Sequence, residues 1–340
     1  MVKMVDVAKH AEVSVKTVSR VLNNEPHVQD KLRSRVLNSV RELGYIPSAS
    51  ARNLRSRRSY AIHFITHSFD GNFIQAVQTG AFMKTQDLGY SFLSTLLDKT
   101  IALEPKKLKA WSKTFFANKK PDGIILIPPY TDNEAVNREL SKFNVPIVRV
   151  GPNNITDKNF TVMIDDRSAA KLATQHLIDL GHKRIAFIRG IENQSATEKR
   201  FHGYSDALMA ANIPLDETLI FSGEFDFESG MLAGEKILAL NPKPTAVFAA
   251  SDDMAAGVIV SAHKNNIKIP DELSIMGFDD SELARKMWPA LTTIKQPQMD
   301  FGSKAAEILI TKAGNTTHQN ISKVELLDYN IIIRDSTAQR

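Results

Sequence analysis

The feature that narrows the fold most is a repeated alternation that begins at Tyr60. Short apolar runs at residues 60–66, 90–97, 123–128 and 147–151 are separated by stretches with helical periodicity. Such runs suit strands buried on both faces, the habit of parallel sheets covered by helices. A polar stretch at 153–159 interrupts the series. The cycle then restarts, with runs at 161–164, 184–189, 219–222, 246–250 and 273–277. Two such series predict two Rossmann-like α/β lobes. Ligands of open parallel sheets sit beyond the carboxyl ends of the strands, so residues just after each run become candidates for a binding site.

The first 60 residues obey a different period. Residues 6–10 read as a helix, 11–13 as a tight turn, 14–23 as a second helix and about 29–43 as a third, stopped by Gly44. Ser14 is a natural N-cap for the second helix. At about 100° per residue, Val18, Val21 and Leu22 share one face, and Val15, Lys16, Ser19, Arg20 and Asn23 share the other. Val5, Ala8 and Val13, with Leu32, Val36, Leu37 and Val40 of the third helix, complete a candidate core. Three short helices whose second presents polar side chains make a helix-turn-helix, the second helix entering the DNA major groove. Periodicity alone fits equally well a small bundle with a solvated polar face.

Charge separates the two regions. Residues 1–60 carry 12 Lys and Arg against 5 Asp and Glu, whereas the remainder carries 31 against 33. A basic head on a nearly neutral body is what a polyanion-binding module joined to a separate domain shows; the alternative for Arg52, Arg55, Arg57 and Arg58 is a solvated linker. The chain has no cysteine, which excludes disulfides and thiolate metal sites. Its start lacks the apolar core of a secretory signal, and no run approaches the roughly 18 apolar residues of a membrane span. A cytoplasmic protein is expected, without a membrane partner.

Two stretches, "VDVAKHAEVSVKTVSRVLNNEPHV" and "GYIPSASARNLRSRRS", resemble in order and spacing the amino-terminal region of the lactose-repressor (LacI/GalR) family of bacterial transcription regulators. The body continues the resemblance to about Arg334. It implies a helix-turn-helix domain at 1–45, a hinge helix and linker at 46–59, and a two-lobed, periplasmic-binding-protein-like domain at 60–340 for effector binding and dimerisation. Val15, Lys16 and Arg20 would then read bases, Lys16 by donating to guanine and Val15 by apolar contact. Thr17, Ser19, Asn23, His27 and Tyr45 would lie against phosphates, which positions without specifying. Two positions depart from the family pattern: Glu12 stands where the turn usually has Gly, and Lys3 replaces the usual Thr cap.

"IPSASARNLRS" resembles the family's hinge. Pro47 suits a first helical turn, and a helix this short needs DNA and a partner hinge to order it. The resemblance implies minor-groove contact by Ser48 and Ala51, and a wedge by Leu54 that kinks the duplex. Ser48 replaces a more usual Asn. A plug into the larger domain is the other role open to Leu54. Only six residues follow Arg334, too short for the helical tail of tetrameric members, so a homodimer on a pseudo-palindromic operator is expected.

In the body, the ends of the apolar runs carry Ser68 to Phe73, Asp165-Asp166, Ser251-Asp252 and Asp279-Asp280. The resemblance implies effector contacts at Phe73, Asp166, Thr197, Arg200, Phe225, Ser251 and Asp279. Carboxylates and an Arg grip hydroxyls in pairs, and rings cover apolar faces, a set suited to a sugar or related metabolite. Asp166, Asp252 and Asp280 equally suit helix caps. Gln194 and Ala196 stand where some purine-binding members have Arg or Thr, which argues against a purine. An enzyme fits poorly. "GMLAGEK" lacks a phosphate-loop core, no Gly-x-Gly-x-x-Gly follows the first strand, and the histidines show no metal-ligand spacing. Neither a cofactor nor a metal is called for. An exported solute receptor shares the two lobes but has no use for a DNA-binding head. The reading is an effector-responsive DNA-binding regulator, a repressor of carbohydrate-utilisation genes.

Overall fold

The computed structural model describes residues 2–22, 26, 28–45, 58–155, 159–313 and 322–340. The chain forms two compact units, Met1–Ser59 and Tyr60–Arg340.

The head contains α1 (Met4–His10), α2 (Val15–Leu22) and α3 (Asp30–Glu42). Helix α1 begins two residues before the expected start, because the Lys3 backbone N–H donates to Asp6 Oδ2 at 2.7 Å and closes the first turn. That shift sets the buried face at Val7, Ala8 and Ala11, the helical i, i+1, i+4 pattern. It leaves Val5, expected in the core, 51 % exposed. Leu37 is likewise outside, one position off the face of α3 that buries Val36 and Ser39. Ser39 satisfies its hydroxyl by donating to the Arg35 carbonyl at 3.0 Å. The cap at Ser14 is present, its Oγ accepting from Thr17 N–H at 3.1 Å. Glu12 occupies the left-handed region at φ 49°, the conformation in which a side chain is strained.

The body begins with β1 (Ala61–Thr66), α4 (Asn72–Asp87), β2 (Ser91–Leu96), α5 (Lys99–Leu103), α6 (Pro105–Lys119), β3 (Gly123–Leu126), α7 (Glu134–Leu140), β4 (Ile147–Val150) and β5 (Phe160–Met163). It continues with α8 (Asp166–Asp179), β6 (Ile185–Ile188), α9 (Ser195–Ala210), β7 (Ile220–Phe221), α10 (Phe227–Leu238), β8 (Ala246–Ala249), α11 (Asp252–Lys264), β9 (Ser274–Asp279), α12 (Glu282–Lys286) and β10 (Thr292–Lys295). It ends with α13 (Gln298–Ala313), β11 (Val324–Leu326) and β12 (Asn330–Ile332). One sheet has the order β11-β5-β4-β3-β1-β2 and is parallel throughout. The other has the order β12-β10-β9-β8-β6-β7 and is parallel except for β12. Strands β1, β3, β4, β5, β6, β8 and β9 are buried along their whole length, as expected of parallel sheets covered on both faces. The edge strand β2 has no fully buried residue.

The division between lobes differs from the expected one. The run at 161–164, read as the start of the second series, is β5 of the first sheet, in register with β4 through Arg149 and Thr161. The chain therefore first crosses between lobes at residues 164–165. It crosses back at 296–297, since α13 packs on α4 and on β3 to β5. A third crossing at 327–329 lets β12 join β10. Among the described residues, the chain therefore passes between the lobes at three places. Among the described residues, no helix is long and apolar enough to cross a membrane.

Candidate functional site

On the head, the start of α2 presents Val15, 38 % exposed, beside the exposed Lys16, and Thr17 and Arg20 of the same helix are half-buried. Two residues expected at the DNA backbone are placed differently. Ser19 is 6 % exposed, flanking the buried Val18. Tyr45 is 8 % exposed and belongs to the head core. Its placement follows from the end of α3. Gly44 turns left-handed at φ 61°, its N–H donates to the Arg41 carbonyl, and the Tyr45 N–H donates to the Val40 carbonyl at 3.0 Å. This helix-ending motif folds the second residue past the cap back onto the helix. Asn23, His27, Ser48, Ala51 and Leu54 lie outside the described residues.

In the body, a cleft of about 470 Å³ opens between the carboxyl ends of the two sheets. The first lobe contributes His67 to Ile74 without Phe69, together with Lys99 and Pro128. Five of the seven expected effector contacts line it: Phe73, Arg200, Phe225, Ser251 and Asp279. The rings of Phe73 and Phe225 come from opposite lobes and are half-buried, so each offers a face rather than filling the core. Phe225 adopts φ 62°. It also lies so close to Gly190 that a Cβ there would meet the ring at 1.9 Å; glycine is what lets the ring lie flat on that loop.

Arg200 is the centre of a buried network. It is 5 % exposed, and its Nε donates to Asp166 Oδ1 at 2.9 Å while Nη1 donates to the Ala250 carbonyl at 2.7 Å. Its guanidinium carbon stands 3.6 Å from the centroid of Phe278, a cation–π arrangement strengthened by exclusion of water. Asp166 therefore orients Arg200 from behind instead of lining the cleft. Thr197 does not line it either: fully buried, it donates to the Ile191 carbonyl at 2.7 Å and shapes the loop that does.

Asp279 ends β9 with its backbone at φ 131°, a strained conformation of the kind found at ligand clamps. It is 9 % exposed and accepts a hydrogen bond from the Gln296 side-chain amide. Burial raises its pKa to about 7, with the charges of Asp253 and Asp166 adding, against the pull of Arg200 and Gln296. Across the mouth, Asn72 of the first lobe donates to both carboxylate oxygens of Asp253 in the second, at 3.0 and 3.1 Å. Burial raises the pKa of Asp253, helped by Asp226 and Glu228 and opposed by Asn72.

The acidic pairs divide by role. Asp165, not Asp166, caps α8 by accepting from Ser168 N–H at 3.0 Å, and Ser251, not Asp252, caps α11. Asp252 is fully buried and accepts from Ser281 N–H and Thr293 Oγ1, at 2.7 and 2.6 Å. Asp280 pairs with Arg334 and Arg285. Gln194 and Ala196 do face the cleft, as do Lys99, Ile191, Glu224, Asp226, Asp253 and Gln296, which were not expected. Lys99, Ile191, Glu224 and Asp226 each follow a strand end, the rule that identified the others. Gln296 follows β10, a strand the periodicity had not revealed.

Residues 3–48 match the family described as bacterial regulatory proteins, lacI family, and residues 174–337 match a periplasmic binding protein-like domain. The chain is 35 % identical over 338 residues to catabolite control protein A of Priestia megaterium, covering 99 % of each. Among solved structures, it resembles a complex of the transcriptional regulator CelR with cellobiose, at TM-score 0.73 and 28 % identity, covering 99 % of this chain and 100 % of that one. It also resembles the lac repressor dimer bound to operator and the anti-inducer ONPF, at TM-score 0.81 and 26 % identity over 99 % of each.

Proposed function

The chain belongs to the lacI family of bacterial regulatory proteins and is a DNA-binding transcription regulator, and from that premise we propose that it represses carbohydrate-utilisation genes from the cytoplasm under control of a small polyhydroxylated effector. The observation that carries the effector reading is the cleft itself. A buried carboxylate and a buried guanidinium, Asp279 and Arg200, line one cleft with two rings supplied by different lobes. Charged groups take sugar hydroxyls in pairs and the rings take the apolar faces. The cellobiose held by CelR is a ligand of that kind.

The effector acts on the angle between the lobes. A ligand touching Asp279 and Arg200 on one side and Phe73 on the other favours one lobe arrangement over another. The first lobe carries that choice to Tyr60, whose N–H is held by Asp122 Oδ2 at 3.0 Å, and so to the hinge segment 46–59. In a homodimer, the state in which the lac repressor meets its operator, lobe angle sets whether two hinges order together on DNA. Val15, Lys16 and Arg20 read base edges and Thr17 holds a phosphate, with the hinge residues Ser48, Ala51 and Leu54 in the minor groove.

A thermal-shift screen of the full chain against pentoses, hexoses and disaccharides tests the reading, because a ligand stabilises by RT ln(1 + [L]/Kd). Stabilisation by one sugar, lost in Asp279→Asn, is the expected result. Stabilisation that survives in the variant places the effector elsewhere.

A further inference from the structure

Carboxylates outnumber cations on the cleft wall. In the interior, Asp279 lines the cavity, with Asp166 and Asp253 close enough to act on it. Asp279 and Asp166 share one guanidinium, whose Nε and Nη2 face Asp166 and whose Nη1 donates to the Ala250 carbonyl. At the mouth, Asp70, Glu224 and Asp226 stand against Lys99. Asp253 has the neutral amide of Asn72 as its hydrogen-bond partner. Burial raises the pKa of both Asp253 and Asp279, and neighbouring acids raise them further.

We propose that this cleft selects its effector by charge, admitting sugars that are uncharged or amine-bearing and rejecting those that carry phosphate or carboxylate, with Glu224, Asp226 and Asp253 as the residues that enforce the choice. The inference rests on the cleft being the effector site. A hydroxyl donates to a carboxylate and an ammonium pairs with it. An anionic oxygen has only acceptors to offer and meets like charge in a partly dehydrated space, where Coulomb interactions are least screened. Lys99 stands exposed at the mouth, where water and salt weaken its attraction for an anion.

The test is calorimetric titration of the full chain, at low salt, with matched sets of probes: glucose, glucosamine, glucose 6-phosphate and glucuronate; ribose and ribose 5-phosphate; cellobiose. The expected result is binding by at least one uncharged or amine-bearing sugar, with its phosphorylated or acidic counterpart weaker by at least about tenfold. In Glu224→Gln/Asp226→Asn that ratio narrows by about threefold or more, a change that a purely structural role for these exposed residues does not produce. A phosphate or uronate that binds as tightly as its neutral counterpart, or a ratio unchanged in the variant, overturns the inference and leaves the effector reading standing. Failure of every probe to bind overturns the reading of the cleft as a sugar site, and the inference with it.

Discussion

The head and the body prepare their functional groups in opposite ways. The head keeps Val15 and Lys16 in solvent and supports them on a core of mostly small side chains, Val7, Ala8, Ala11, Val18, Val21 and Val36, closed by Tyr45. The body buries its key groups, with Arg200 at 5 %, Asp279 at 9 % and Ser251 at 2 % exposure, and holds each by hydrogen bonds to its surroundings. DNA is a large polyanion that brings its own surface, so exposed side chains suffice to meet it. A small solute must be enclosed, so its contacts need to be fixed before it arrives. On the proposed assignment of these residues, function and stability separate in the head and are fused in the body.

That contrast is sharpest at Arg200. Arg200→Ala leaves Asp166, only 6 % exposed, without its cation. Removal of one partner of a buried pair costs about 3–5 kcal/mol, and denaturant unfolding of the body should show a loss of that order. A loss below about 1 kcal/mol would mean that water reaches the pair and that it behaves as a surface contact.

Lys16→Ala should behave in the opposite way. Operator affinity falls by about 1–3 kcal/mol, with altered preference at one base position, while the melting curve barely moves. Equal loss on operator and random DNA would reassign Lys16 to the phosphates.

Asp279 offers a pH test. Its pKa in the folded protein, about 7, lies above the ordinary 3.8, so between those values the native state holds a proton that the unfolded chain has released. Stability from this group is full at low pH and is lost as pH rises from about 4 to about 7, with a slope of at most about 1.4 kcal/mol per pH unit. Asp279→Asn should flatten that part of the stability profile. A profile identical to that of the parent would show that Asp279 is ionised throughout.

The smallest effect belongs to Glu12. At φ 49° it carries strain that glycine lacks, and Glu12→Gly should stabilise the head by about 0.5–1 kcal/mol after the extra backbone entropy of glycine is subtracted. Slower hydrogen exchange in α1 and α2 is the readout, and faster exchange would contradict the claim.

Much of this was legible in the chain. Apolar runs located nine strands, seven of them buried along their whole length as parallel strands covered on both faces are, a local property. Sheet membership is not local. The run that became β5 looks the same whichever lobe receives it, and only its pairing with β4 and β11 decides. Strands β11 and β12 are three residues each and half-exposed, too short to show a period. In the site, strand ends pointed to Asp279, Ser251 and Phe73, but not to the burial that turns Asp166 and Thr197 away from the cleft. For Tyr45 the resemblance implies a place against the DNA backbone, and the glycine before it is the local signal for a ring folded under α3.

The claim that joins the two regions is that a ligand in the cleft changes how the head holds DNA. Operator titration of the parent and of Asp279→Asn, each with and without the sugar found by thermal shift, tests it directly. Asn suits the substitution because it tolerates positive φ better than Ala. The account predicts an operator Kd in the parent that shifts with the sugar by a coupling of about 1–3 kcal/mol, and a variant that binds operator like the parent but ignores the sugar. A variant that still responds as the parent does would contradict it.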